Sequence, residues 1–398
     1  MRLRLTVAGI VAALTLSACG GTLPDNLRGE DSHSATHGAA PSAAGAAAAK
    51  AKPQPPAVAL RAGETFQELS MPAKYTPKAP FGTGTDDYRC FLVDPKFAQD
   101  MIVSGVDIAP DNPAAVHHVI LYKVDAANVP AAKAMDAKDD RDGWTCFGGT
   151  GINAGPGAQL NNAEWIGAWA PGGGERVMSE DIGIPLAKGT QVVIQMHYNL
   201  LAGAGADQST ARLRLTPASA GKKTPLETML LPAPVELPCR KGTPGELCAR
   251  TPAVADIRKR FGEDVATADL LHLLCGELKP GPTQSCTRPV KDPGLIRAVS
   301  GHMHLLGKSI TVDVNKGTPQ AQRVLDIPVW NFDDQGAIPL KKPVAVKKGD
   351  KVTVTCTHDQ AMRDVLPSYK GTKERYVAWG EGTTDEMCLG IVLFTRAN

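Results

Sequence analysis

Aromatic residues make up only 5% of this 398-residue sequence, and no long stretch repeats its apolar residues at helical spacing. A helical bundle is therefore excluded. No cluster of Lys and Arg stands out, and the formal net charge is only +2. The chain thus lacks the basic footprint that nucleic-acid binding draws on, and no nucleic acid is expected among its partners. The apolar run Val7 to Leu16 is too short to span a bilayer as a mature helix. What is plentiful is Gly (40) and Pro (31), which punctuate short Val/Ile/Thr runs in the manner of an all-β chain. A single hydrophobic core stops growing at roughly 250–300 residues, so two domains are expected.

The first residues read as an export signal. Arg2 and Arg4 precede the apolar run, and Leu16-Ser17-Ala18-Cys19 resembles the bacterial lipoprotein cleavage box. The expectation is a signal peptide over 1–18 and a lipidated Cys19 that anchors the chain to a bacterial cell membrane outside the cytoplasm, with plain secretion as the alternative. Setting Cys19 aside leaves eight of the nine cysteines, an even number suited to disulfides in an oxidising compartment. Residues 19–62 are rich in Ala and Pro and read as a disordered tether, whose His33 and His37 are solvated.

A first globular unit is expected over 63–219 and a second over 220–398. Strand-like runs include Val116 to Tyr122 and Gln191 to Tyr198 in the first, and Ser309 to Val314, Lys351 to Cys356 and Leu389 to Phe394 in the second. Ala253 to Gly276 reads instead as a helical insertion stapled by flanking cysteines. Cys239, Cys248, Cys275 and Cys286 allow three connectivities, which sequence leaves open.

Histidine placement carries the chemistry. In His302-Met303-His304 the two imidazoles stand at i and i+2, on one face of a strand, and can share a metal ion. His117 and His118 are adjacent and would face opposite ways on an ideal strand, so joint ligation requires a strand end or a bulge. His197 shares a strand face with Gln195 and Asn199, opposite the Val192, Ile194 and Met196 face. Met387 sits in a polar segment beside Cys388, an odd place for a gap-filling residue, and its thioether suits Cu(I). Zinc would explain three histidines but not the methionine. Two further histidines read as structural: His358, two residues beyond Cys356, and His272 in the insertion.

Taken together, Val116 to Ile120, Gln195 to Asn199, His302 to His304 and Thr384 to Cys388 resemble the copper segments of the ascorbate-dependent type II copper monooxygenases. Tyr88-Arg89-Cys90, Trp144-Thr145-Cys146 with Gly148-Gly149, and Trp169 to Gly172 follow in the family's order, so that the likeness runs from about Asp87 to Phe394. The resemblance implies an all-β fold of two antiparallel jelly-roll β-sandwich domains, the second carrying the partly helical insertion. It implies two copper ions per chain. His117, His118 and His197 match the electron-supplying site, and His302, His304 and Met387 the oxygen-binding site. The expected chemistry is hydroxylation of a C–H bond in a small-molecule substrate by O2, with electrons from a donor such as ascorbate crossing a solvent-filled gap between the sites. Gln195 is a candidate group for orienting a ligand. The likeness also implies disulfides Cys90–Cys146 and Cys356–Cys388.

The substrate groups depart from the family. Ser300 stands where the peptide-processing member has a carboxylate-gripping arginine, and Leu389, Gly390 and Ile391 follow the Met–Cys pair in place of asparagine and tyrosine. The expected pocket is less polar, fitted to an apolar or aromatic molecule. Two rival readings are a lipoprotein that handles copper without turnover and a surface interaction module with vestigial histidines.

Overall fold

The computed structural model describes residues 58–152, 162–203, 205–262, 267–277 and 279–397. The expected signal peptide, Cys19, His33 and His37 lie outside the described residues. Residues 58–62, placed in the tether from sequence, are fastened: Arg214 donates from Nη2 to the Val58 carbonyl and from Nη1 to the Ala59 carbonyl, and Arg61 donates to the Met178 carbonyl. The same Arg214 pairs with Glu64 and Glu175. This buried guanidinium needs that many acceptors.

The chain is all-β. Three layers matter for the site. A five-stranded antiparallel sheet runs in the order 144–145, 86–93, 191–199, 116–124, 165–169. A ten-stranded sheet backs it with strands 65–70, 210–217, 101–109 and 182–186, then continues into the C-terminal half as 224–232, 389–396, 294–302 and 338–346. The join is a two-residue parallel pairing of Thr224 with Ile182 and Pro225 with Gly183. A four-stranded sheet, 283–289, 351–358, 307–314 and 322–327, covers the C-terminal end.

Period-2 alternation explains which face of each strand is covered. Val192, Ile194 and Met196 point into one core with Val119, Leu121 and Leu213. A second core joins Val299, Ile310, Val312 and Val354. Strand 191–199 is the middle of its sheet and is buried along nearly its whole length. The insertion is helical as expected, over Arg250–Phe261 and Thr267–Cys275. It is stapled by Cys239–Cys248 and Cys275–Cys286, the pairing that sequence left open. Cys90–Cys146 and Cys356–Cys388 are also formed.

Candidate metal centre

His197 is set by register. On one side of it strand 86–93 places Tyr88, and on the other strand 116–124 places His118. The next pair is Tyr198 with Val116, which leaves His117 as the extra residue of a bulge. The bulge turns adjacent histidines toward one point, which an ideal strand would not allow. Nδ1 of His117 lies 2.8 Å from Nδ1 of His197, and Nδ1 of His118 lies 3.4 Å from it. One ring nitrogen from each of the three falls within 4.8 Å of the others.

The tautomer of His197 follows from its outer partner. Asp86, fully buried, accepts from His197 Nε2 at 2.9 Å, so the proton of the neutral ring sits there and Nδ1 presents a lone pair. Tyr88 stacks on the same ring at 3.9 Å between centroids. Burial, joined by the neighbouring imidazoles, pushes His117 and His118 well below the usual histidine range. Burial also lowers His197, against the opposing hydrogen bond from Asp86. All three are thus held neutral, the form that binds metal.

The second set gathers where the sheet ends. His302 is the last residue of strand Gly294–His302. Its Nδ1 donates to Gln335 Oε1 at 2.7 Å, leaving Nε2 free to ligate. Burial, then His304, pushes its pKa down to about 3, opposed by Gln335. His304 is fully buried with neither ring nitrogen partnered. Leu389 pairs with His302, so two residues onward from His302 and two back from Leu389 bring His304 and Met387 to the same end of the strand pair. Glu386 holds that end. Its carboxylate accepts from the backbone N–H of His304 at 2.9 Å and from that of Leu306. The Cys356–Cys388 bridge fixes the residue after Met387.

A solvent-filled gap between the sets, which the resemblance implied, is not what the structure has. The ring centroids of His117 and His304 are 5.8 Å apart, those of His117 and His302 6.2 Å, and those of His118 and His302 5.6 Å. Within a set the spacing is hardly less, 5.2 Å for His302 and His304. His302 and His304 come from the end of a strand of the ten-stranded sheet and His117, His118 and His197 from the five-stranded sheet, and the five rings face one another directly.

Gln195 does not orient a ligand imidazole. It donates to the Gly149 carbonyl at 3.1 Å and accepts from Tyr122. It braces the Gly148-Gly149 loop instead, and the orienting role falls to Asp86 and Gln335. His358 is buried and structural, bonded to the Met387 carbonyl at 3.1 Å and beside Glu386 at 3.3 Å. His272 is likewise structural, 2.6 Å from buried Glu236.

Beside the histidines lies a cavity of about 1190 Å³ whose wall includes His118, His302 and Met387. Trp165, Trp169, Trp379 and Phe147 also line it. Ser300 lines it without charge, its hydroxyl donating to the Gln335 carbonyl at 3.0 Å. Leu389 and Ile391 add apolar surface. Glu381 is a buried carboxyl on the wall. Burial raises its pKa to about 7, reinforced by Asp385 and opposed by Trp379.

The donors present fit copper. Buried, partnerless ring nitrogens on His117 (Nε2) and His304 would be costly to desolvate for nothing. Neutral imidazoles with one buried thioether are a donor mix suited to cycling between Cu(II) and Cu(I).

Sequence reasoning missed Asp86, Gln335 and Glu386. Asp86 had a signal, since it alternates with Tyr88 and Cys90 on one strand face, and Glu386 adjoins Met387. Gln335 sits in an irregular segment and had none.

Residues 282–397 match the family described as copper type II ascorbate-dependent monooxygenase, C-terminal domain. No curated protein matches the chain. Among solved structures, a Paenibacillus xanthan lyase is similar at 8% identity and TM-score 0.17, over 83% of this chain and 25% of that one. The chain thus spans about a quarter of that lyase's length. Procruciferin, an 11S globulin of Brassica napus, is similar at 12% identity and TM-score 0.16, over 87% of this chain and 84% of its own. Vicilin of tomato follows at 8% identity and TM-score 0.15, over 80% and 76%. Likeness this slight carries no argument about function.

Proposed function

We propose that this chain is a copper-dependent monooxygenase that hydroxylates a C–H bond of a small, largely apolar or aromatic substrate with O2 and an external reductant such as ascorbate. The balance is one O2, two electrons and two protons for each hydroxyl and water formed. The observation that carries the reading is five imidazoles facing one another, His117, His197 and His304 buried, with His118, His302 and the buried thioether of Met387 on the wall of the adjoining aromatic-lined cavity. His117, His118 and His197 would hold one ion, and His302, His304 and Met387 a second. Bound copper supplies one-electron redox chemistry and O2 activation there.

The chain's own groups prepare the site. Asp86 keeps a proton on Nε2 of His197, and Gln335 keeps one on Nδ1 of His302, so the opposite nitrogens stay bare. Trp165, Trp169 and Trp379 offer flat apolar surface to the substrate. Nothing at Ser300 grips a carboxylate, which argues against a peptide terminus as substrate.

An extracytoplasmic location is part of the proposal. It is supported by four disulfides, bonds that persist outside the reducing cytoplasm. Anchoring through Cys19 rests on the sequence of the leader, and no helix among the described residues is long and apolar enough to cross a membrane.

The test is copper stoichiometry, oxidised and reduced, alongside ascorbate-driven O2 consumption across a panel of aromatic and aliphatic substrates. Two coppers per chain and substrate-dependent uptake are expected. Two coppers without uptake would favour copper handling, and no copper would overturn the reading.

A further inference from the structure

The loop that carries Met387 is tied to the other donor set. Asp86 stands on strand 86–93 with its side chain wholly buried. Its Oδ1 accepts from His197 Nε2 at 2.9 Å, and also from the backbone N–H of Thr383 at 2.9 Å and the Thr383 hydroxyl at 2.5 Å. Its Oδ2 accepts from the Thr85 hydroxyl at 2.7 Å. Two residues on, on the same strand face, Tyr88 stacks against His197 and donates its hydroxyl to the Glu381 carbonyl at 2.9 Å. Strand 86–93 thus reaches the segment Glu381–Thr383 twice, each time from a residue that also touches His197.

The same segment is gripped from behind. Arg260, on the helical insertion, makes a bidentate pair with Asp385 at 2.9 and 2.6 Å. Asp385 also accepts from the Gly382 N–H at 3.1 Å. Further along, Glu386 fixes the backbone at His304. Between these anchors the loop has little freedom, so a displacement at Thr383 is passed to Met387 rather than absorbed.

Resting on the copper reading, we infer that Asp86 is a positioning residue common to both donor sets: one carboxylate oxygen orients His197 and, through Thr383, places the loop that delivers Met387. A carboxylate that merely oriented its own histidine would bond that ring and solvent. Here the other donors to the same oxygen come from the opposite half of the chain, almost 300 residues away in sequence (|i−j| = 297).

The experiment reads each set from a change made on the other side, with the full chain and copper alone as probe. Thr383→Val removes the hydroxyl and touches no histidine. It is expected to alter the Cu(II) paramagnetic resonance signature of the three-histidine set, and Thr383→Ser should restore the parent spectrum. In the reverse direction, Tyr88→Phe and His197→Ala, loaded with Cu(I), are expected to lose a large part of the copper–sulfur scattering contributed by Met387 in X-ray absorption. Parent-like spectra in Thr383→Val together with intact sulfur scattering in both other variants would overturn the link while leaving the copper reading in place. A parent chain that binds no copper overturns the copper reading, and the link with it.

Discussion

The two donor sets sit side by side but are built by different means. His117, His118 and His197 lie inside a sheet, where ladder hydrogen bonds and one bulge fix the backbone. His302, His304 and Met387 lie where a strand pair runs out, and there side chains take over: Glu386 holds the backbone, Gln335 a ring, and Cys356–Cys388 the flanking chain. A set fixed by a sheet resists change of ligand geometry, as suits a site that passes electrons. A set at a strand end that borders a cavity, with His302 and Met387 on its wall, leaves room for a further ligand. The difference in construction therefore parallels the division of labour that the family resemblance implies for the two donor sets.

The largest effect should come from removing the one ligand that distinguishes the sets. Met387→Ile keeps an apolar side chain of similar size but no sulfur, so the fold should persist. The expected outcome is loss of hydroxylation beyond the roughly 10–100-fold typical of disturbing a group behind a ligand. Cu(I) binding at the second set should weaken while the three-histidine set stays loaded. Metal titration with O2-uptake assays checks both, and unchanged turnover would break the comparison outright.

Next in size is the backbone support. Glu386 satisfies the buried N–H groups of His304 and Leu306. Glu386→Ala strands both, and an unpaired buried donor costs about 1–3 kcal/mol, so a loss of about 2–6 kcal/mol in denaturant unfolding is expected. Among the described residues, the three-histidine set is held by strand ladders rather than by a single carboxylate on its backbone. An unfolding midpoint close to the parent's would show that loop and sheet are equally self-supporting.

How legible this was differs between the sets for the same reason. Strand patterns around 116–122 and 191–198 expose the first set, and the need for a bulge at His117 is readable from two adjacent histidines, because strand geometry is periodic. The His302–His304 pair is readable too, but the link from His302 to Gln335 crosses an irregular segment that has no period to read. The closeness of the sets depends on ring contacts between residues far apart in sequence, and the role of Asp86 over Gln195 on which side chain of the five-stranded sheet reaches His197 Nε2. Sequence suggests two units, and nothing local announces the two-residue join at Thr224 and Pro225.

Two buried carboxyls sharpen the comparison by pH. Burial drives Asp86 upward, but the His197 bond, followed by those from Thr383, outweighs it and keeps Asp86 below the usual carboxylate range. Glu381 has burial and then Asp385 acting against only Trp379, and is raised from 4.5 to about 7. An acid whose folded pKa is raised adds stability below its unfolded pKa and loses it as pH climbs through the folded value. In the copper-free protein Glu381 should therefore cost up to about 3 kcal/mol progressively between about pH 4.5 and 7. Glu381→Gln should remove that part of the slope in unfolding measured across this range. An unchanged profile would mean that Glu381 is ionised in the fold.

The smallest effect belongs to Gln335, and it separates ring orientation from ring identity. Its Oε1 accepts the His302 proton at 2.7 Å, and its Nε2 donates to the Phe332 carbonyl at 2.8 Å, which pins the amide's orientation. Phe332 in turn stacks on His117, so the amide reaches both donor sets. Gln335→Ala leaves every ligand present but frees His302 to rotate or switch tautomer. Copper affinity at the second set should fall by roughly 10–100-fold, the range for loss of a partner behind a metal ligand. The three-histidine set keeps Asp86 and should lose less, since Phe332 restrains only one of its rings. Equal weakening of both sets in Gln335→Ala would mean that the five imidazoles respond as a single unit, and the contrast between sheet-held and loop-held ligands would then fail.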